Sequence, residues 1–213
     1  MSASANTCVA SIFSPQPDLA QEFIASLCGE QARNGKVNLS GMADIMLEIP
    51  PDDSTDSLVS NLRQADFIVL LLRFVDEETM DVARAVLRAL PPTIQSQIHV
   101  AIAREPNENE FKMSCPKCQQ KLLIKDSLAF RRTQCPRCKH PFTIPGQTDL
   151  IRQEFLIPAT HKISKAQLGD PDSCMAVLAN AYRQAGGRKN TEMSATMRLD
   201  ELLLDEEGNG PNV

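Results

Sequence analysis

The stretch DFIVLLLRFV, Asp66 to Val75, decides the fold class. Every residue from Phe67 to Leu72 is apolar. A strand with one wet face alternates apolar and polar residues. Continuous apolarity instead predicts a strand covered on both faces, as at the centre of a parallel sheet. Such a strand needs crossover helices, and both neighbouring segments supply them.

DEETMDVARAVLRAL, 76–90, is read as an amphipathic helix with Met80, Ala83, Val86 and Leu87 inward, stopped by Pro91 and Pro92. IHVAIA, 98–103, is a second buried strand. Before the central stretch, STDSLVSNLRQA predicts a helix with Leu58 and Leu62 on one face and Ser54 or Thr55 as its cap. KVNLS and MADIMLEI, either side of Gly41, predict a hairpin. TCVASIF, 7–13, reads as the first strand, broken by Pro15 and Pro17. DLAQEFIASLCGE then carries Leu19, Phe23, Ile24 and Leu27 at helical spacing, with Asp18 as its expected cap. Towards the other end, TDLIRQE predicts a helix, FLIPA (155–159) a short strand, and DPDSCMAVLANAYRQAGG a helix ending at Gly186 and Gly187. MRLDELLLDEEGNG is read as a short helix before an acidic end. No repeat is read along the chain.

Strands alternating with amphipathic helices predict an α/β domain: a three-layer, mostly parallel sheet with helices on both faces. With 42% hydrophobic residues, the 213-residue chain can bury a core. Aromatics are only 4%, with no Trp and the single Tyr182, so aliphatic residues must fill that core. No apolar run approaches the length that a membrane-spanning helix needs. The first residues, MSASANTCVASIF, lack the basic start and long apolar run of a signal peptide. Seven cysteines, four in local pairs, fit a reducing cytoplasm better than a secreted disulfide scaffold. Cys8, Cys28 and Cys174 are read as buried thiols.

The hairpin beside parallel crossovers resembles the Ras-like small GTPase domain in element order and length. The resemblance implies a GTPase-like domain over 1–110 and 145–187, a cysteine insertion over 111–144, and a polar acidic tail over 188–213. It implies no activity, because the family's nucleotide motifs are missing. The phosphate loop of that family is G-x-x-x-x-G-K-[ST]. Here the matching stretch, FSPQPDLAQEF, has no Gly, no Lys and two prolines, which lack N–H donors. EIPPDDS lacks the Gly of the family's second motif, and AREP (103–106) stands where its base-reading Asn-Lys-x-Asp would be. Ser164–Lys165 resembles only its last base-contacting motif. The reading is a degenerate small-GTPase-like fold. A receiver-like or flavodoxin-like doubly wound domain is the alternative. Asp44, Asp52, Asp53 and Asp56, and likewise Asp76, Glu77 and Glu78, are read as solvated turn and helix-start acids. No catalytic or nucleotide-binding residue is assigned.

CPKCQQKLLIKDSLAFRRTQCPRCKHPF, 115–142, holds the strongest local signal. Cys115, Cys118, Cys135 and Cys138 follow Cys-x2-Cys-x16-Cys-x2-Cys. Each Cys-x-x-Cys can fold as a knuckle with both sulfurs on one metal, and two knuckles complete a tetrahedral S4 site. Zinc suits such a site, and iron in a rubredoxin-like arrangement suits it too. A thioredoxin-like redox pair needs only one Cys-x-x-Cys. Four thiolates also saturate the metal, leaving no open position for catalysis. His99, His140 and His161 are not read as ligands. The segment from Phe111 to Pro145 resembles a short bacterial-type zinc ribbon. That resemblance implies a hairpin between the knuckles, a miniature core drawn from Leu122, Leu123, Ile124, Leu128, Phe142 and Ile144, and contact with protein or nucleic acid.

Charge is uneven. The chain carries −5, yet residues 110–145 carry eight Lys or Arg against two acids, so that segment is +6 and the remainder −11. Overall acidity argues against a dedicated nucleic-acid binder. The expected function is therefore a non-catalytic, metal-binding interaction or scaffold protein. Its ribbon serves as a basic contact module for a protein partner, an acidic one by charge. The alternatives are nucleic-acid backbone contact through the basic residues and Phe130, and an atypical nucleotide-binding enzyme. Oligomeric state is not legible in the sequence.

Overall fold

The computed structural model describes residues 7–29, 35–39, 43–51, 54–73, 77–157 and 161–186. Six strands form one sheet. They are β1 (Thr7–Phe13), β2 (Gly35–Leu39), β3 (Ala43–Glu48), β4 (Phe67–Leu72), β5 (Ile98–Arg104) and β10 (Ser164–Gln167). Their order is β10-β5-β4-β1-β3-β2. All neighbouring pairs are parallel except β2 with β3, which form the predicted hairpin. The four remaining short strands lie in the cysteine segment.

β4 is central and wholly buried. Its side chains alternate between two cores. Phe67, Val69 and Leu71 join Leu19, Phe23 and Ile24 of α1 (Pro17–Cys28) and Cys174, Val177, Leu178 and Ala181 of the last helix, α6 (171–186). Ile68, Leu70 and Leu72 meet Leu58, Val59 and Leu62 of α2 (Thr55–Leu62), Val86 of α3 (Glu77–Ala89) and Ile151 of α5 (Gln147–Phe155). Helices therefore cover the sheet on both sides, which is why β4 tolerates no polar residue. Each fully buried Leu, Ile or Phe contributes roughly 1.5–3 kcal/mol of transfer free energy.

Local chemistry fixes the ends. Ser54 caps α2, its Oγ accepting from Ser57 N at 3.2 Å. The hairpin edge is polar: Lys36 and Asn38 on β2 reach Asp44 on β3 at 2.9 and 2.7 Å. That pairing, Lys36 first, holds the Asp44 carboxyl below its usual range. Such charge at a sheet edge discourages edge-to-edge pairing.

Several local expectations are corrected. Asp18 does not cap α1. Gln16 holds that position without a side-chain bond, Pro17 opens the helix, and Asp18 lies in its first turn. Pro91 does precede a stop, but Pro92 opens a further short helix, α4 (Pro92–Gln95). The described part of FLIPA is not a strand: Phe155 ends α5 and Leu156 follows in the left-handed region with φ 52°, while Pro158 and Ala159 lie outside the described residues. The sixth strand is SKAQ instead. Its alternating buried and exposed residues suit an edge, and it pairs with β5 from Ser164↔Ala101 to Gln167↔Arg104. Asp52, Asp53 and Asp76 lie outside the described residues, as does the 188–213 tail.

Candidate metal centre

Between β5 and α5 the chain makes two hairpins, each a two-stranded antiparallel sheet. The first pairs β6 (Glu110–Ser114) with β7 (Lys121–Lys125), and the second pairs β8 (Arg132–Gln134) with β9 (Pro141–Thr143). A 3-10 turn, Asp126–Leu128, joins them. Each knuckle sits at the tip of its own hairpin. The expected single hairpin between the knuckles is thus two.

The tips are built alike, and here a repeat does exist. CPKCQQKLLI begins at Cys115 and CPRCKHPFTI at Cys135. Cys115 N donates to Gln120 O and Gln119 N to Cys115 O; Cys135 N donates to His140 O and Lys139 N to Cys135 O. Gln119 and Lys139 share a φ of 58°. Beyond the Cys-Pro-(Lys/Arg)-Cys steps, the two stretches share an apolar residue at Leu122 and Phe142 and an Ile at Ile124 and Ile144, all in one small core, while the residues between differ, so backbone bonding sets the shape of each tip.

The four sulfurs lie within 4.8 Å of one another. Cys115 Sγ is 3.8 Å from Cys138 Sγ, and Cys118 Sγ is 3.7 Å from Cys135 Sγ. A disulfide needs about 2.05 Å. A tetrahedron with metal–sulfur bonds of about 2.3 Å has edges of about 3.8 Å. The two closest cross-knuckle pairs thus match a tetrahedral edge and are far too long for disulfides, and all four thiols are free. This cluster could hold a metal.

Electrostatics within the cluster are divided. The N–H of Cys138, with that of Arg137, faces Cys135 and lowers its thiol to about 6. Cys115 is lowered similarly by the N–H of Cys118, aided by Lys117. At Cys118 the Gln120 N–H pulls downward, but burial and the neighbouring sulfurs outweigh it and push the thiol up to about 11. A first thiolate opposes the next one. A dication at the centre would remove that opposition, because it stabilises all four negative sulfurs together.

A small core backs the centre: Phe111, Ile124 and Ile144, with Met113, Leu122, Phe142 and Leu150 against it. Leu123 and Leu128 do not join it and are exposed, Leu123 by 62%. The exposed face of the first hairpin therefore sets Leu123 beside Lys112, its cross-strand partner. Phe130 is 71% exposed, with φ 65°. Its ring edge lies over Gly146, where an added Cβ would come within 2.8 Å of it.

Sequence reasoning missed two arginine junctions. Arg104, ending β5, binds Asp126 at 2.6 Å and also donates to Gln147. Arg73, just past β4, is held by Glu22, Glu105 and Glu108. Its N–H also meets Gln16 Oε1 at 3.4 Å. Both lie where strand ends meet the following loops. Their carboxylate partners stand in other elements, far outside helical or hairpin spacing. No local spacing announces such pairs.

The other candidates stay apart from the cysteines. Asp56 lies in the first turn of α2. Of the three remaining cysteines Cys174 is buried, whereas Cys8 and Cys28 are only half-buried. Ser164 Oγ lies 2.8 Å from His99 Nε2 and accepts from Asn180 at 3.1 Å. It is engaged inside the fold, not presented to a ligand.

No protein-family profile matches the chain. No curated protein matches it either. Among solved structures, crystal structures of two variants of SsGBP, with one glycine replaced by proline or by serine, align over 85% of this chain. Their identities are 12% and 11%, both with a TM-score of 0.49. The chain spans a little over half of their length, 56% and 57%. Neither alignment bears on function.

Proposed function

We propose that Cys115, Cys118, Cys135 and Cys138 hold one zinc ion as a structural clip. In this reading residues 111–144 are a zinc ribbon inserted in a degenerate Ras-like domain, 1–110 and 145–187. The protein is a non-catalytic interaction or scaffold protein of the cytoplasm, and the ribbon is its basic contact module. The observation that carries the reading is the sulfur geometry: four thiols within 4.8 Å of one another, two of the pairs at 3.7 and 3.8 Å, a set that would fill a four-coordinate shell. The strand order, with β2 alone antiparallel, supports the GTPase-like relation. The absent phosphate loop and the Arg73–Glu22–Glu105–Glu108 cluster support loss of nucleotide binding. Carboxylates from α1 and from the loop after β5, three against one arginine, would repel a triphosphate.

An exposed Phe130 beside Arg131 and Arg132 favours a second reading, nucleic-acid contact. Stacking plus backbone charge would make that binding steeply salt-dependent. The test is affinity capture by the full chain and by a Phe130→Ala, Arg131→Ala, Arg132→Ala variant, with metal analysis of both. An acidic protein lost in the variant, with zinc retained, supports the contact module. RNA or DNA retained by the parent at moderate salt moves the function to the second reading. Purified protein without tightly held metal contradicts both.

A further inference from the structure

The base of the sheet carries a groove of about 310 Å³, away from the cysteines. It lies between the end of α3, the start of β5 and the residues after α5. Leu87, Ile98, Val100, Phe155, Ile157 and Ile163 make it apolar. On its wall is Leu156, 86% exposed and the most exposed large apolar side chain among the described residues. Lys162 supplies positive charge on the same wall, next to His161. A left-handed Leu turned outward beside an apolar hollow is a costly surface unless something covers it.

The chain itself provides a matching segment close by. Gln184, in the last turn of α6, lines the groove, and α6 ends at Gly186. The linker 187–196 can span up to about 33 Å. Beyond it stands MRLDELLLDEE, 197–207. Leu199, Leu202 and Leu203 fall on one face at helical spacing, and Asp200, Glu201 and Asp205 fall on others. From Arg198 to Glu207 the net charge is −4, complementary to Lys162.

We propose that residues 197–204 of the same chain seat their apolar face in this groove, as an intramolecular strap over the base of the sheet. The binding mode is an amphipathic segment laid into an apolar groove. Its acidic residues stay at the rim, facing Lys162. The strap is independent of the metal reading, because no ribbon residue lines the groove.

A photo-crosslinking residue in place of Leu156, in the full zinc-loaded chain, tests this directly. The expected product is an intrachain crosslink mapping to residues 197–204. A product of twice the chain mass, or one mapping elsewhere, overturns it. A Leu202→Asp, Leu203→Asp variant should speed amide exchange of residues 155–157 and 161–163 by about threefold or more, while leaving β4 protected. Unchanged exchange in those segments also overturns it. The substituted residues lie outside the described core, so misfolding of the sheet does not confuse the outcome.

Discussion

Arg104 and Asp126 tie the sheet to the cysteine segment. Arg104 Nη1 lies 2.6 Å from Asp126 Oδ2, and the Arg104 side chain is only 12% exposed. The same guanidinium donates to Gln147, which is 7% exposed at the start of α5. Three parts of the chain therefore meet on one cation: the end of β5, the turn between the hairpins, and the helix that follows them.

Removing the carboxylate isolates that cation. Asp126→Ala is expected to lower the unfolding free energy by roughly 1–2 kcal/mol, less than a fully buried pair because Asp126 is partly exposed. The urea midpoint should fall while the metal content is unchanged. An unaltered midpoint would show that the junction contributes nothing.

Loss of one ligand should act more locally. Segments of this size do not bury enough apolar surface to fold unaided, so metal binding supplies their folding free energy. Cys115→Ser is expected to lose the ion and melt residues 112–144. The six-stranded sheet should persist, weakened by about the amount of the Arg104–Asp126 tie. Amide exchange separates the two regions. Protection kept in the hairpins, or lost equally in β4 and β5, would refute this division.

His99 predicts the pH response. Burial lowers its pKa from 6.5; the Gln184 bond opposes this, and Lys162 and His161 reinforce it. Gln184 Nε2 donates to Ile98 O, so its Oε1 faces His99 Nδ1 at 2.9 Å, and Nδ1 carries the hydrogen. Ser164 then donates to Nε2. The folded protein holds the neutral ring, whereas the unfolded chain takes up a proton near pH 6.5. This contribution is complete above that pH and is lost as pH falls below it. The slope is at most about 1.4 kcal/mol per pH unit. His99→Gln should show a shallower decline than the parent between roughly pH 6.5 and 5 in urea titrations at matched metal loading. Identical slopes would rule out His99 as the source.

Thiol reactivity should divide the cysteines. Burial pushes Cys174 up to about 11. Only about one molecule in a thousand then carries its thiolate at pH 8. In the metal-loaded protein Cys174 and the four ribbon cysteines should resist a disulfide reagent. A chelator should release the ribbon thiols alone. Fast reaction of all four before chelation would argue against a metal on them.

The long apolar elements were legible because periodicity reports burial directly. β4 and α6 are covered where their patterns require it. β10 was missed because a short edge strand, SKAQ, carries too little apolar signal, while FLIPA carries much and begins as a helix end. The cysteine set was legible from spacing, since short chain separation forces each pair together. The division into two hairpins was not, because the bonds that make it are backbone bonds. The zinc-ribbon resemblance put Leu123 and Leu128 in the miniature core, yet both are exposed, and the pleat turns Leu123 outward beside Lys112. Arg73 and Arg104 were invisible because their partners are brought in by the fold.

X-ray absorption at the zinc edge of the purified chain tests the central claim most directly. The expected result is one zinc per chain, with four sulfur neighbours at about 2.3 Å and no oxygen or nitrogen in the shell. A shell containing light-atom ligands, iron in place of zinc, or no bound metal would contradict it.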